Sequence, residues 1–365
     1  MRRRAFLTTV AAGTLTGCLG GGETSSDAIA GTWPQRRVDA RNSAHLAGGA
    51  GPRTEPAERW RTAFDSTPQA EPVVRDGRTY LPLADETVAL DTATGEVSWS
   101  ADSEAATDAT LAASGQRILC PGADGVLRSR SPVDGAEQWA FDAGSSLVTA
   151  VTTTGPVATV GSEDGRLHTV DASGRRRWAV ELGGRPVTTP AVHGGLSYVG
   201  TDAGELVSLA AGSGEVEWRA DVGGDPDDPV VAGDLVLTTV ADELFALDAE
   251  TGQEIRRLPA GSEVFGSPAV VDGARLFAGR DGSLRSLAPG GEPNWAADVA
   301  ATSIPVVAGG TVYVGTGSGV AAVALTGGEV RWEADLGSAV SLPVVALDRR
   351  VLAVTDQGAA VVLEA

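Results

Sequence analysis

Three carboxylates in one short loop are the residues of this chain best suited to bind a cation. Asp225, Asp227 and Asp228 lie in a segment containing Gly and Pro, directly before an apolar run that begins at Val230. Clustered carboxylate oxygens are the ligands that Ca²⁺ prefers. In a chain with 48 acidic residues a solvated acidic loop is the alternative, and the composition favours that interpretation.

A single arginine, Arg280, is the second candidate for ligand binding. The equivalent positions in sister segments carry small polar residues, namely Thr201, Ser162 and Thr316. A guanidinium among small neighbours can hold a carboxylate ligand, or it can pair with a local aspartate. We favour the pairing.

No arrangement of nucleophile, base and metal ligands in the sequence points to catalysis. The three histidines, His45, His168 and His193, lack metal-ligand spacing. Cys120 lies in an apolar run without a histidine nearby, so we interpret it as a small core residue. Because the sequence also contains no catalytic triad, phosphate loop or zinc motif, we predict a protein that is not an enzyme and has no metal site.

The first eighteen residues combine an export signal with a lipid attachment site. The pattern R-R-x-F-L is typical of twin-arginine signals, and its residues are Arg3, Arg4, Phe6 and Leu7. The apolar stretch that follows is shorter than the ~20 residues that a membrane-spanning helix needs. A second motif resembles the lipobox of prokaryotic lipoproteins, and its residues are Leu15, Thr16, Gly17 and Cys18.

These two motifs divide the chain into three parts. They predict a signal peptide over residues 1–17, a flexible tether over 18–30 and one folded domain over 31–365. The lipobox resemblance implies acylation of Cys18, and two acyl chains give stable anchoring. We therefore expect the protein at the extracytoplasmic face of the cell membrane.

The charge of the chain excludes one class of partner. The net charge is −20, and all 28 basic residues are arginine. Such a surface repels the phosphates of nucleic acids and anionic lipid head groups. An acidic excess without lysine also resembles the proteins of halophilic archaea, with a merely acidic protein from a GC-rich genome as the alternative.

Tryptophan recurs at a nearly constant interval and indicates the elements that position these residues. The intervals are 39, 40, 39 and 40 residues, then 77 and 37, and Arg256 stands where the long gap lacks a tryptophan. A period of about 40 residues with short strands between Gly-containing turns is typical of a β-propeller. The tryptophans concerned are Trp60, Trp99, Trp139, Trp178, Trp218, Trp295 and Trp332.

The repeats predict an all-β fold, an eight-bladed β-propeller of four-stranded antiparallel blades. Seven units are complete, and an eighth near the C-terminus lacks its last strand. The strand around Trp60 supplies the missing one, which closes the ring and leaves no open edge. Seven blades with a stray terminal hairpin is the alternative.

One motif identifies the type of propeller. Residues 89–99 fit the pattern A-x-D-x-x-T-G-x-x-x-W, and residues 246–256 repeat it with Arg256 at the last position. This resembles the tryptophan-docking motif of the PQQ-like propeller family, which includes quinoprotein dehydrogenases and BamB-like lipoproteins. The resemblance implies that the periodic tryptophans are structural. A W-P-x-x-R segment at residues 33–37 resembles the lead-in of many such propellers, and we expect it to lie across the ring as a partly ordered arm.

The resemblance leaves three functions open. The first is a non-catalytic interaction scaffold whose partners are other envelope or membrane proteins. The second is a PQQ-dependent oxidoreductase, which in this family uses a stacking tryptophan, Ca²⁺ held by Glu and Asn, and often adjacent cysteines. The third is a binder of a small ligand or cation in the channel. No two cysteines are adjacent, the only asparagines are Asn42 and Asn294, and docking uses nearly every tryptophan. We therefore expect neither PQQ nor Ca²⁺ as a cofactor and favour the scaffold.

Overall fold

The computed structural model describes residues 32–103 and 109–365, and their regular secondary structure consists of strands alone. No helix among these residues has the length and apolar character needed to cross a membrane. The export and lipidation residues, from Arg3 to Cys18, lie outside the described residues.

The strands form eight sheets, each built on a blade of four antiparallel strands, which confirms the predicted eight-bladed propeller. In chain order they are β1 (His45–Leu46), β2 (Ala57–Ala63), β3 (Val73–Arg75), β4 (Arg78–Pro82), β5 (Glu86–Asp91), β6 (Val97–Asp102), β7 (Ala112–Ser114), β8 (Arg117–Pro121), β9 (Val126–Arg130), β10 (Glu137–Asp142), β11 (Thr152–Thr154), β12 (Val157–Ser162), β13 (Arg166–Val170), β14 (Arg176–Glu181), β15 (Ala191–His193), β16 (Leu196–Gly200), β17 (Glu205–Ala210), β18 (Val216–Asp221), β19 (Val230–Ala232), β20 (Leu235–Val240), β21 (Glu243–Asp248), β22 (Glu254–Pro259), β23 (Ala269–Val271), β24 (Ala274–Ala278), β25 (Ser283–Leu287), β26 (Pro293–Asp298), β27 (Val306–Ala308), β28 (Thr311–Gly315), β29 (Gly319–Ala324), β30 (Val330–Asp335), β31 (Val345–Leu347), β32 (Arg350–Thr355) and β33 (Ala359–Glu364).

Seven blades are built from four consecutive strands each, starting with β3–β6 as blade 1 and ending with β27–β30 as blade 7. Blade 8 combines β31, β32 and β33 with β2 from the other end of the chain. Trp60 on β2 pairs with Val362 on β33, and the backbone N–H of Phe64 donates to the carbonyl of Gly358 at 2.8 Å. The ring is thus closed as predicted.

The core lies between neighbouring blades. Middle strands are buried on both faces, as in β28, where all five residues are buried. Outer strands such as β30 alternate between exposed and covered positions, which is the pattern of a sheet with one solvated face. The largest buried cluster joins blades 7, 8 and 1, so the closing seam is packed like the rest of the ring.

The periodic tryptophans join each blade to the next one. Each outer strand carries a β-bulge immediately before the docking position, which turns that side chain towards the neighbouring blade. The indole Nε1 then donates to a backbone carbonyl. The donor–acceptor pairs are Trp60–Thr92 (3.1 Å), Trp99–Pro132 (3.1 Å), Trp139–Ala172 (3.1 Å), Trp178–Ala211 (3.1 Å), Trp218–Ala249 (3.0 Å), Trp295–Leu325 (2.8 Å) and Trp332–Pro52 (3.0 Å).

Two seams depart from this pattern. Arg256, in place of a tryptophan, is exposed and donates to the carbonyl of Pro289 at 3.4 Å. The side chain of Leu258 packs against Gly291 in the turn of the neighbouring blade. Blade 8 has no turn between its last two strands, because those strands come from opposite ends of the chain. The carbonyl of Pro52 takes the place of that turn and accepts from Trp332.

Candidate functional site

The segment before β2 runs through the centre of the ring and contacts every blade. This arm, residues 33–50, meets the inner strands or their first turns in the order of the blades. Seven of the N–H groups that it binds are on inner strands, and the last, of Arg349, is in the turn after β31. Each N–H group with its acceptor is Val74–Trp33 O (2.7 Å), Ala113–Pro34 O (2.6 Å), Thr153–Gln35 Oε1 (2.8 Å), Val192–Ala40 O (2.5 Å), Val231–Arg41 O (3.0 Å), Val270–Ser43 O (3.0 Å), Val307–Ala44 O (2.9 Å) and Arg349–Ala50 O (2.6 Å).

The arm solves a hydrogen-bonding problem of the propeller. Inner strands have no neighbour on the channel side, so their edge N–H groups would otherwise lack protein partners. The arm supplies an acceptor to each blade, and its strand β1 pairs in parallel with β27. The sequence predicted an arm across the ring, but its ordered path is longer than expected, because it contacts every blade around the whole ring.

Arg37 of the arm is buried near the axis. Its exposure is 2%, and its guanidinium donates to the carbonyls of Asn42 (2.7 Å), Ser267 (3.0 Å) and Pro268. Burial lowers the pKa of Arg37 to about 10, against the attraction of nearby carboxylates including Asp228. The arginine therefore ties the arm to the connection that enters blade 6.

A buried carboxylate holds the start of the arm. Glu71, 1% exposed, accepts from the backbone N–H of Arg37 at 2.7 Å and from Trp33 Nε1 at 3.4 Å. Burial raises the pKa of Glu71, and the nearby guanidinium of Arg36 opposes that rise. Sequence reasoning missed Glu71, since nothing in its local pattern distinguishes it from the many exposed acids of this chain.

Arg36 and Asp228 form an ion pair between the arm and blade 5. Arg36 Nε donates to Asp228 Oδ2 at 2.8 Å, and the backbone N–H of Thr189 donates to Asp228 Oδ1 at 2.7 Å. Burial opposes charge on both groups, but attraction outweighs it: the pKa of Asp228 lies below its usual value and the pKa of Arg36 above its own.

The acidic loop does not act as one cluster. Asp225 is exposed, Asp228 pairs with Arg36, and Asp227 accepts from Thr239 Oγ1 at 2.6 Å. Burial raises the pKa of Asp227. Within residues 32–103 and 109–365, no three His, Cys, Asp or Glu side chains are grouped so that they could hold a metal ion.

Arg280 has a local partner. Its Nε lies 2.9 Å from Glu263 Oε1, and its guanidinium lies 5.1 Å from the ring centroid of Phe265. The neighbouring Asp281 pairs with Arg285 instead. The geometry therefore agrees with local pairing, but the partner is a glutamate of the preceding connection.

The single cysteine and one histidine of the described chain are buried. Burial raises the pKa of Cys120 to about 11, which disfavours the thiolate. Nε2 of His168 lies 2.8 Å from Oγ of Ser162, and burial lowers the pKa of His168 to about 4. These environments are those of core residues.

A cavity of about 430 Å³ is lined by Arg36 of the arm and by Asp228. Its lining also includes Ala123, in the turn between β8 and β9, and Ser146, in the connection before β11. The sequence anticipated only one of the two charged residues, because the carboxylate stood out and its arginine partner did not.

The side chains expected of a PQQ and Ca²⁺ site are engaged elsewhere. Trp33 is 1% exposed beside Glu71, and every later tryptophan docks between blades. Asn42 donates to two backbone carbonyls, and Asn294 lies on an outer strand, where it donates to Ser286. The described residues therefore do not fit that cofactor site.

Comparison with known proteins places the chain in a family. The family described as outer membrane protein assembly factor BamB matches residues 53–140, 123–231 and 220–365, which together span most of the chain. The chain belongs to this family. No curated protein matches its sequence.

Solved structures share the fold of this BamB-family chain at low identity. BamB from Moraxella catarrhalis has a TM-score of 0.69 and 15% identity, over 85% of this chain and all (100%) of that one. The quinohemoprotein alcohol dehydrogenase ADHIIG from Pseudomonas putida HK5 has a TM-score of 0.75 and 14% identity, over 91% and 80%. The quinohemoprotein alcohol dehydrogenase from Comamonas testosteroni has a TM-score of 0.74 and 15% identity, over 93% of this chain and 81% of that one. Enzymes and an assembly factor thus share this architecture.

Proposed function

We propose that this chain is a membrane-anchored, extracytoplasmic propeller that holds other envelope or membrane proteins as a non-catalytic scaffold. The observation that carries the proposal is the arm, which follows the inner strands around the ring and binds all eight blades. The docking tryptophans support the same interpretation, because each is used to join blades. BamB is an assembly factor in name, and the family membership is consistent with a role in assembly.

The anchor and the export route rest on the motifs at the start of the chain. Two tests with matched controls address them. Cys18→Ser is expected to release the protein from the membrane fraction, whereas Cys120→Ser, at a buried core cysteine, leaves it there. Replacing Arg3 and Arg4 by lysine is expected to block export, whereas Arg2→Lys, outside the pair, does not. A Cys18→Ser protein that stays in the membrane fraction contradicts lipidation.

The scaffold function is tested by crosslinking in native membranes. We expect the tagged wild-type protein to recover a reproducible set of envelope proteins and the released Cys18→Ser protein to recover fewer. The ionic strength of the host medium must be kept, because an acidic surface is screened by salt. Recovery of the same proteins by an unrelated anchored control contradicts the proposal.

The dehydrogenase neighbours make the quinoprotein alternative worth a direct test. Purified protein is mixed with PQQ and Ca²⁺, and bound quinone absorbance and alcohol oxidation are measured. The scaffold account predicts neither. Stoichiometric quinone uptake together with alcohol oxidation contradicts it.

A further inference from the structure

The cavity beside Arg36 of the arm is lined by both signs of charge. Arg36 and Asp228 line it, with side-chain exposures of 26% and 11%. Within the described chain, Arg36 uses only Nε in a hydrogen bond, so Nη1 and Nη2 are available to a ligand. Asp228 accepts one bond at each oxygen, and a carboxylate oxygen has a second lone pair for another donor.

Hydroxyl groups form part of the cavity wall. Thr188 Oγ1 accepts from the N–H of Gly200, which leaves its own proton free to donate. Thr110 also lines the cavity, but its Oγ1 is fully buried, so a ligand in the cavity does not reach that atom.

The chemistry of the ligand follows from this wall. A singly charged guest would be attracted by one member of the ion pair and repelled by the other. None of the described residues that line the cavity is aromatic, so they offer a sugar no ring to stack on. A volume of about 430 Å³ lies within the range of small-ligand sites.

We propose that the cavity binds a small zwitterion of the α-amino acid class. The carboxylate of the ligand binds Nη1 and Nη2 of Arg36, and its ammonium group binds Asp228. Such charge-assisted hydrogen bonds are the strongest that neutral-pH side chains offer. This site is independent of the membrane anchor and of any protein partner.

Isothermal titration calorimetry with four ligands tests the assignment. L-alanine is compared with propionate, which lacks the ammonium group, and with ethylamine, which lacks the carboxylate; L-glutamine is a larger zwitterion. We expect one site per chain for either amino acid and at least about tenfold weaker binding of both truncated ligands, because a hydrogen bond to a charged group contributes strongly. Propionate or ethylamine binding as tightly as L-alanine overturns the zwitterion assignment. The absence of heat from both amino acids overturns the site.

Two variants with controls locate the binding. Arg36→Lys keeps the charge but loses the planar, bidentate guanidinium, and Asp228→Asn keeps the shape of the side chain but loses its charge. Both are expected to weaken L-alanine binding by about tenfold. Arg280→Lys, in the turn between β24 and β25, and Asp227→Asn, at the neighbouring aspartate that pairs with Thr239, are expected to leave it unchanged. If Arg36→Lys does not fold, Asp228→Asn decides the outcome: unaltered affinity in that variant contradicts the proposed contacts.

Discussion

Removal of the docking tryptophan Trp218 should destabilise the ring far more than removal of Arg256, which occupies the docking position of the next blade. Trp218 is 8% exposed, donates to the carbonyl of Ala249 at 3.0 Å and packs with Tyr198 at a ring-centroid distance of 5.9 Å. A buried tryptophan covers about 150–250 Å², which at roughly 25 cal/mol per Å² amounts to about 4–6 kcal/mol. Large-to-small substitutions of this kind cost about 3–5 kcal/mol when measured. We therefore expect Trp218→Ala to lower the free energy of unfolding by about 4 kcal/mol.

Arg256→Ala is the matched control, since Arg256 holds the docking position of the next blade. It is exposed, and its hydrogen bond to Pro289 is long at 3.4 Å. Exposed side chains without special contacts contribute within about 1 kcal/mol, so we expect a loss smaller than that.

Urea denaturation at fixed salt measures both variants. Far-UV circular dichroism and fluorescence must give coincident transitions, because a repeat protein can unfold in parts. If Trp218→Ala loses no more stability than Arg256→Ala, the tryptophans do not hold the blades together and the reasoning is refuted.

Three further predictions concern single positions. Gly252→Ala should cost at least about 1 kcal/mol more than Gly155→Ala, because both glycines have positive φ but only at Gly252 would a Cβ lie 2.6 Å from a docked indole; equal losses of urea stability contradict this. Burial lowers the pKa of His168 to about 4, below the ordinary 6.5. Between these pH values the folded state binds fewer protons than the unfolded state, so the free energy of unfolding should fall by up to about 3 kcal/mol as pH drops from 6.5 to 4. His168→Gln should flatten that slope and His193→Gln, at an exposed residue, should not; an unchanged slope in His168→Gln refutes the assignment. Cys120 should resist maleimide at pH 8 until the chain unfolds, as read by mass spectrometry, and rapid labelling of the native protein contradicts its burial.

The fold was predictable because its signals repeat. A tryptophan every 40 residues, with turns between short alternating strands, determines the number of blades and the strand that closes the ring. The exceptional seam at Arg256 was also predictable, because it is the one position in the periodic series where the tryptophan is missing. The carbonyl of Pro52 that replaces the missing turn of blade 8 was not, because its role exists only once the two ends of the chain meet.

The channel was harder to predict, since its contacts join residues far apart in sequence. Arg36 and Asp228 are separated by 192 positions, and no local pattern pairs them. The acidic loop was recognised, but its three carboxylates separate to different surroundings when the chain folds. Burial of Glu71 and Arg37 depends on the path of the arm. That path is determined by hydrogen bonds to edge N–H groups of the inner strands and first turns, and it is not evident from the arm's own sequence.

Site-resolved amide hydrogen exchange tests most directly whether the arm occupies the channel. The inner-strand N–H groups of Val192, Val231, Val270 and Val307 donate to the arm. The account predicts that they exchange as slowly as the middle-strand amide of Val199, because protected amides open only with the fold. Exchange of these four amides at the rate of exposed turns would show that the channel is open, which would contradict the account.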